Sequence, residues 1–196
     1  MVERAPVAEQ ITGLVLCGGR GSRVEGRDKG LLIHEGEPLV QRALRRLAPQ
    51  VAHLAISANR HLDDYAALGV PVWPDERPGF EGPLSGWLTA LHRAPTPWLA
   101  SVPCDAPDLP DDLVARLAHG LAAEGAELAI AVTPHREHPV CALLSRALAE
   151  RLAAALDAGE RRVLAWALDQ RCARVRFDDE AAFRNLNRLE DFTAPR

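Results

Sequence analysis

Short apolar runs alternate with amphipathic segments along the whole chain. The runs that predict buried strands end close to glycine, proline or a polar residue, and they cover residues 11–17, 51–57, 70–73, 98–102 and 128–133. Helices are predicted between them, where apolar residues recur every three or four positions, at residues 39–47, 61–68, 84–93, 146–158 and 162–169, with another after Pro110. Residues 173–177 alternate apolar residues with arginine, as a half-exposed strand does, and residues 141–144 form one more apolar run.

This alternation of strand and helix predicts one α/β domain over residues 1–196, with residues 1–10 flexible. The expected fold is a Rossmann-like, three-layer arrangement, with a mostly parallel sheet and helices on both faces. Ligands of such folds bind beyond the carboxyl ends of the strands. Two places therefore stand out, namely the glycine-rich loop after strand 11–17 and Asp105 after strand 98–102.

Composition narrows the class of protein. The 196 residues carry a formal charge of −4, which gives no electrostatic reason to bind nucleic acid or an acidic membrane. No apolar run approaches the roughly 20 residues of a membrane span, and residues 1–10 contain no apolar stretch typical of a secretory signal. The cysteines show no zinc-type spacing and are expected to be reduced in a cytoplasmic protein; they are Cys17, Cys104, Cys141 and Cys172.

The glycine-rich loop carries two cations. Of the 23 lysine and arginine residues, 22 are arginine, and the one lysine, Lys29, follows the loop that also contains Arg23. The loop matches neither a P-loop, which needs Lys and Ser or Thr at positions 27 and 28, nor a dinucleotide fingerprint, which needs glycine at position 24. It could be an ordinary turn, but backbone N–H groups and two cations together favour a triphosphate site.

Several polar positions have a functional and a structural interpretation. Asp105 could hold Mg²⁺, or Asp105 or Asp108 could cap the following helix. Asn185 and Asn187 would point the same way on a strand, although a helix cap before Leu189 also explains them.

Three other segments remain similarly open. Residues 79–86 could form a mobile ligand loop or an ordinary helix entry. His138 could be a ligand or a structural histidine, and the pair Arg161 and Arg162 could bind an anion or face solvent.

Leu16-Cys17-Gly18-Gly19, then Arg23 and Asp28-Lys29-Gly30, resemble the signature loop of MobA-like nucleotidyltransferases. Other matching elements are distributed over almost the whole chain; they are Ser57-Ala58-Asn59-Arg60, Asp75, residues 82–86, Pro103-Cys104-Asp105, His138-Pro139, residues 159–163 and Asn185-Leu186-Asn187. The full set resembles the molybdenum cofactor guanylyltransferase family, which implies a nucleotide-diphospho-sugar transferase-like fold.

That resemblance implies an Mg²⁺-dependent transfer of GMP from GTP to molybdopterin or the molybdenum cofactor, with release of pyrophosphate. It implies catalytic roles for Arg23, Lys29 and Asp105, with Asp105 also the metal ligand. The nucleotide-binding residues it implies are Leu16, Cys17, Gly18, Gly19, Lys29, Ser57, Asn59, Asp75, Gly82 and Asp105. The substrate-binding residues it implies are His138, Arg161, Asn185 and Asn187.

The chain departs from the family pattern at three positions, with Cys17 for alanine, Ser57 for asparagine and Arg188 for threonine. The Gly18-Gly19 pair favours GTP, whereas relatives that use CTP tend to have Ala-Gly there. A transferase using CTP on molybdopterin, a transferase acting on another phosphorylated substrate, and a silent nucleotide-binding module are the alternatives. Expected partners are cofactor-delivery proteins and molybdoenzymes, with no nucleic acid or membrane, and the chain is expected to be a monomer or weak oligomer.

Overall fold

The computed structural model describes residues 4–17, 28–77 and 82–186. Within these ranges the regular elements follow one another in the order β1 (Ile11–Leu16), β2 (Ile33–His34), β3 (Glu37–Pro38), α1 (Leu39–Leu47), β4 (His53–Ser57), α2 (Leu62–Ala66), β5 (Val72–Trp73), α3 (Pro83–Arg93), β6 (Trp98–Pro103), α4 (Leu113–Glu124), β7 (Leu128–Thr133), β8 (Arg136–Ser145), α5 (Ala149–Asp157), α6 (Val163–Leu168) and β9 (Cys172–Arg176). The predicted strands and helices are therefore confirmed, with ends shifted by a few residues.

In the described part of the chain, seven strands form one sheet in the order β5-β4-β1-β6-β8-β7-β9. Parallel pairing joins β5, β4, β1 and β6, and it joins β7 to β9. The predicted mostly parallel sheet is confirmed, and the exception is β8, which runs antiparallel to both β6 and β7.

Strand β8 is longer than its hydrophobic pattern indicated. The apolar run at 141–144 is its buried second half, whereas its first half is half-exposed and polar. A two-residue turn separates Thr133 of β7 from Arg136 of β8, and these two residues pair directly. Such a short connection can only form a hairpin, because a parallel neighbour requires a long crossover.

Helices cover both faces of the sheet. On one face α1 packs on β1 and α4 packs on β7, β8 and β9, through buried residues such as Val40 of α1 and Leu117 of α4. On the other face α3, α5 and α6 pack through residues such as Leu88 and Trp166. All six residues of β1 are buried, so this central strand exposes only its ends. The three-layer prediction is confirmed. Among the helices that the structure describes, none is long and apolar enough to cross a membrane.

Helix α1 packs directly on the backbone of β1 at Gly13. A Cβ atom added to Gly13 would lie 2.7 Å from Leu47 Cδ2 and 3.0 Å from Val51 Cγ2. These distances are shorter than carbon–carbon contact, so the glycine is needed for close approach of the helix to the strand.

We expect Gly13→Ala to lower the free energy of unfolding by about 1–3 kcal/mol, because the methyl group overpacks this contact. Urea denaturation followed by circular dichroism measures the loss. Leu47→Ala alone should cost about 2–5 kcal/mol, and the double variant should lose less than the sum of the two single losses. Strictly additive losses would contradict this account of the packing.

Candidate active site

Most of the predicted site residues lie along the edge of the sheet where the parallel strands end. They fall into three groups: Ser57, Asn59, Asp75 and Gly82 beside β4, β5 and the start of α3; Leu16, Cys17, Lys29 and Asp105 beside β1 and β6; and His138 and Asn185 beside β8. The predicted residues Gly18, Gly19, Arg23 and Asn187 lie outside the residues that the structure describes.

Lys29 and Asp105 are in direct contact at the middle of this edge. Asp105 follows β6, and the backbone N–H of the preceding Cys104 donates to the carbonyl of Leu16, which extends the strand pairing beyond β6. Lys29 opens a short 3₁₀ helix, Lys29–Leu31. Its Nζ lies 2.5 Å from Asp105 Oδ2, and the two side chains are 22% and 14% exposed. Two residues that are 76 positions apart are thereby brought together.

The second oxygen of Asp105 has the environment of a cation ligand. Oδ1 is buried and accepts no hydrogen bond from the residues that the structure describes. A buried carboxylate oxygen without a partner is energetically costly, and a divalent cation would satisfy it. Within the described ranges no cluster of three or more His, Cys, Asp or Glu side chains could hold a metal ion. A metal at this place would have the Asp105 carboxylate as one ligand, and substrate phosphates and water are common further ligands of Mg²⁺.

The helix-cap interpretation of the aspartates is wrong. Helix α4 begins at Leu113, and its N-cap is Asp112, well beyond Asp105. Asp108 instead accepts a hydrogen bond of 3.3 Å from Arg42. Neither Asp105 nor Asp108 caps this helix.

A reciprocal side-chain pair lies beyond β4 and β5. Asn59 Nδ2 donates to Asp75 Oδ2 at 2.8 Å, and the backbone N–H of Asp75 donates to Asn59 Oδ1 at 2.7 Å. These two hydrogen bonds orient both side chains next to the strand ends. The pair presents hydrogen-bonding groups of defined direction, because the Asn59 amide can donate and accept and the Asp75 carboxylate can accept.

Ser57 and the start of α3 are tightly packed. The Ser57 carbonyl accepts a hydrogen bond from Cys17 N–H at 2.8 Å. A Cβ atom added to Gly86 would lie only 2.6 Å from the Ser57 hydroxyl oxygen, so the start of α3 packs closely on Ser57. Gly82 precedes α3 with φ +79°, a conformation that favours glycine. The described part of the predicted loop 79–86 is thus a helix entry, and residues 79–81 lie outside the described ranges.

His138 lies beside a small cavity on the β8 side of the edge. Its Nε2 is 3.1 Å from Thr133 Oγ1, and its ring packs on Phe183 with centroids 4.7 Å apart. Burial, and then the nearby charge of Arg136, lower the pKa of His138 below its ordinary value, which favours a neutral imidazole at neutral pH. The cavity has a volume of about 300 Å³, and its lining consists of Arg136, His138, Glu180, Ala181, Phe183 and Arg184.

Sequence reasoning missed the other residues of this cavity. Arg136 and Glu180 are far apart in the chain and belong to no recognisable motif, and only the β7–β8 hairpin and the short 3₁₀ helix Ala181–Phe183 bring them together. The sequence contained no local signal for that proximity.

Asn185 and Arg161 occupy different surroundings. The N–H of Leu186 donates to the Asp105 carbonyl at 2.9 Å, so Asn185 lies next to the Asp105 loop. Residues 184–186 are neither helix nor strand. Arg161 follows α5, where its Nη1 donates to the carbonyls of Leu156 and Glu160 at 2.9 and 2.8 Å. The guanidinium therefore satisfies carbonyls at the end of that helix, and its role as an anion ligand stays a prediction.

Comparisons with known proteins identify the family of the chain. A sequence model of the family described as the MobA-like NTP transferase domain matches residues 13–174. A protein of Methylibium petroleiphilum named molybdenum cofactor guanylyltransferase is 53% identical over 192 residues, which covers 94% of both chains.

Solved structures share the fold. Molybdopterin-guanine dinucleotide biosynthesis protein A of Archaeoglobus fulgidus aligns with a TM-score of 0.76 at 20% identity, over 92% of this chain and 94% of that one. A Mycobacterium tuberculosis protein in complex with manganese aligns with a TM-score of 0.67 at 17% identity, over 94% of this chain and 96% of that one.

We expect Lys29→Met to lower the free energy of unfolding by about 1–3 kcal/mol, because the mostly buried Asp105 carboxylate loses its charged donor. The double variant Lys29→Met/Asp105→Asn should regain much of that loss, since the unpaired charge is gone. Urea denaturation at neutral pH measures both values. A single variant as stable as the wild type would show that the ion pair contributes nothing to stability.

Proposed function

The chain belongs to the MobA-like NTP transferase family, and we propose that it transfers GMP from GTP to the terminal phosphate of molybdopterin or the molybdenum cofactor, releasing pyrophosphate. The name of the Methylibium petroleiphilum relative, which is 53% identical over 94% of this chain, supports the choice of both substrates. The observation that carries the chemistry is the contact between Lys29 and Asp105, which leaves one buried carboxylate oxygen available for a cation.

The order of the strands supports a two-substrate site. Asn59 and Asp75 lie beyond β4 and β5, Asp105 lies beyond β6, and His138 lies on β8. We infer that the nucleoside lies on the β4–β5 side and the pterin substrate on the β8 side. The phosphorus that is attacked would then lie between them, near Asp105.

Mg²⁺ would be held by Asp105 Oδ1 together with substrate phosphate oxygens, and it would neutralise phosphate charge and orient the attacking and leaving oxygens. Lys29 would contact the same phosphates, because an ammonium group has three N–H donors and can bind Asp105 and a phosphate together. The reaction requires positioning and charge neutralisation, and it requires no covalent intermediate on the protein.

The remaining assignments are proposals from the family pattern. The main chain of Leu16, Cys17, Gly18 and Gly19 would hold the nucleotide, and Arg23 would bind its phosphates. Ser57 and Gly82 would line the nucleoside side. On the acceptor side, the terminal phosphate and the pterin would be bound by His138, Arg161, Asn185 and Asn187.

We also propose that the product passes to cofactor-delivery proteins or molybdoenzymes in the cytoplasm. The four cysteines are free, which is usual for proteins of a reducing compartment. The negative net charge of −4 is consistent with the absence of a nucleic-acid or membrane partner. We further propose that the chain acts as a monomer or weak oligomer.

The test of the proposed function supplies the purified chain with Mg²⁺, molybdenum cofactor and GTP, CTP or ATP, and it measures pyrophosphate and the dinucleotide product. GTP should give the product. Equal or faster transfer from CTP would overturn the choice of GTP, and failure to form any product from authentic cofactor would overturn the function.

In the same assay Asp105→Ala should slow the reaction on the order of a hundredfold or more, since it removes the metal ligand. Asp157→Ala is the control, because Asp157 is an exposed carboxylate that also pairs with a cation, Arg77. An undiminished rate for Asp105→Ala would remove the metal assignment.

Lys29→Arg should lose most activity although the positive charge is kept. The planar guanidinium is wider than an ammonium, and the lysine ammonium, which contacts Asp105, would be confined between that carboxylate and a bound phosphate. The measurement is kcat/KM for GTP, with Arg45→Lys as the control because Arg45 pairs with Glu37 on the surface. A fully active Lys29→Arg enzyme would mean that any cation serves at this position.

A further inference from the structure

The buried Tyr65 makes a side-chain hydrogen bond that has no part in the proposed reaction. It is the only tyrosine of the chain, it lies in α2, and none of its surface is exposed. Its hydroxyl donates to Asp28 Oδ1 at 2.5 Å. Burial, then the neighbouring Cys17 thiol and the hydrogen bond to Asp28, raise the pKa of Tyr65 far above its ordinary value, so the hydroxyl remains a donor at neutral pH.

The same carboxylate oxygen organises the backbone around Lys29. Asp28 Oδ1 also accepts a hydrogen bond of 3.2 Å from the backbone N–H of Gly30. Asp28 is the N-cap of the 3₁₀ helix that Lys29 opens. The residues on both sides of Lys29 are thus tied to one oxygen, and that oxygen is in turn held by Tyr65.

Close packing leaves this segment no room to shift towards α2. A Cβ atom added to Gly30 would lie 2.5 Å from Tyr65 Oη and 3.3 Å from Cys17 Sγ. The backbone at Gly30 therefore rests against the Tyr65 hydroxyl. Any displacement of the Tyr65 hydroxyl or of Asp28 would therefore move the backbone of Lys29 and, with it, the Lys29 side chain.

Packing of the core does not require the hydroxyl. A phenylalanine ring would fill the same space. Burying a hydroxyl and a carboxylate costs hydration free energy, and their mutual hydrogen bond must offset that cost. Helix α2 lies in the chain between Asn59 and Asp75, so Tyr65 joins the nucleoside side of the site to the segment that carries Lys29.

We propose that Tyr65 is a positioning residue for nucleotidyl transfer, acting through Asp28 to hold Lys29 in place beside Asp105; this role rests on the proposed function. Tyr65 contacts neither substrate. Its hydroxyl sets the position of the short helix, and the short helix sets the position of the ammonium group.

The first experiment compares Tyr65→Phe with a matched control, Thr12→Val. Thr12 Oγ1 makes a buried hydrogen bond of 2.7 Å to Thr96 Oγ1 at the opposite end of β1, and Thr96 keeps a second one to the Trp98 carbonyl. Both variants delete one buried hydroxyl. We expect kcat to fall on the order of tenfold for Tyr65→Phe, with the KM for the pterin substrate unchanged, and to stay unchanged for Thr12→Val. Equal rates in both variants would overturn the proposal.

The second experiment tests whether Tyr65 acts through Lys29. In a Lys29→Ala background, Tyr65→Phe should cause no further loss of kcat, because the group that it positions is absent. Independent losses of kcat, which multiply in the double variant, would overturn the proposal.

Variants of Asp28 test the hydrogen-bonded route. Asp28→Asn keeps an acceptor oxygen and should have a kcat close to that of the wild type, whereas Asp28→Ala should behave like Tyr65→Phe. Equal kcat values for the two Asp28 variants would exclude this route.

The third experiment needs no catalysis, because Lys29 is the only lysine of the chain. Protein labelled with ¹³C and ¹⁵N lysine gives one side-chain signal, whose two Hε protons should be inequivalent in the wild type and averaged in Tyr65→Phe. Thr12→Val should retain the wild-type spectrum. An unchanged signal in Tyr65→Phe would overturn the positioning role. If the signal of Tyr65→Phe changes but the wild-type protein forms no product in the assay, only the proposed reaction is overturned.

Discussion

The ion pair between Lys29 and Asp105 is the interaction around which the candidate site is arranged. It joins the segment after β1 to the segment after β6, and these are neighbouring strands at the centre of the sheet. Only one of the two Asp105 oxygens takes part in it, and the other is buried and accepts no hydrogen bond from the described residues. A cation and a carboxylate that share one confined place can respond together to a bound metal–phosphate group, which either residue alone would hold less firmly.

The sheet makes this contact possible. Strand β1 is buried along its full length, so its chemistry is confined to its carboxyl end. Parallel pairing with β4 and β6 brings three strand ends to the same edge. The antiparallel β8 then adds His138 to that edge from the opposite chain direction, beside the cavity that Phe183 and Arg136 help to line. One edge of the sheet thereby carries the side chains that are proposed to bind the nucleoside, the metal and the acceptor substrate.

The surroundings of the ion pair are as specific as the pair itself. Asp28 accepts a hydrogen bond from the backbone of Gly30, directly after Lys29, and Tyr65 of helix α2 donates a hydrogen bond to the same Asp28 oxygen. The backbone N–H of Leu186 donates a hydrogen bond to the Asp105 carbonyl, so the chain beyond β9 contacts the same loop. Precise placement of charge depends on such supporting contacts, because long side chains on a loop are otherwise free to reorient.

The sequence by itself determined the α/β class and the parallel strands and their helices, and it selected Lys29 and Asp105 as candidate site residues. These follow from hydrophobic periodicity, from glycine and proline, and from the family pattern, all of which are local or matched by position. The tertiary structure alone decided that β8 is a long antiparallel strand, because half of it is polar and its direction follows from a two-residue turn. It alone decided that Lys29 contacts Asp105 directly and that Tyr65 supports Asp28. Contacts between residues 76 or 37 positions apart depend on how the strands pair and the helices pack, and no local pattern of residues records that.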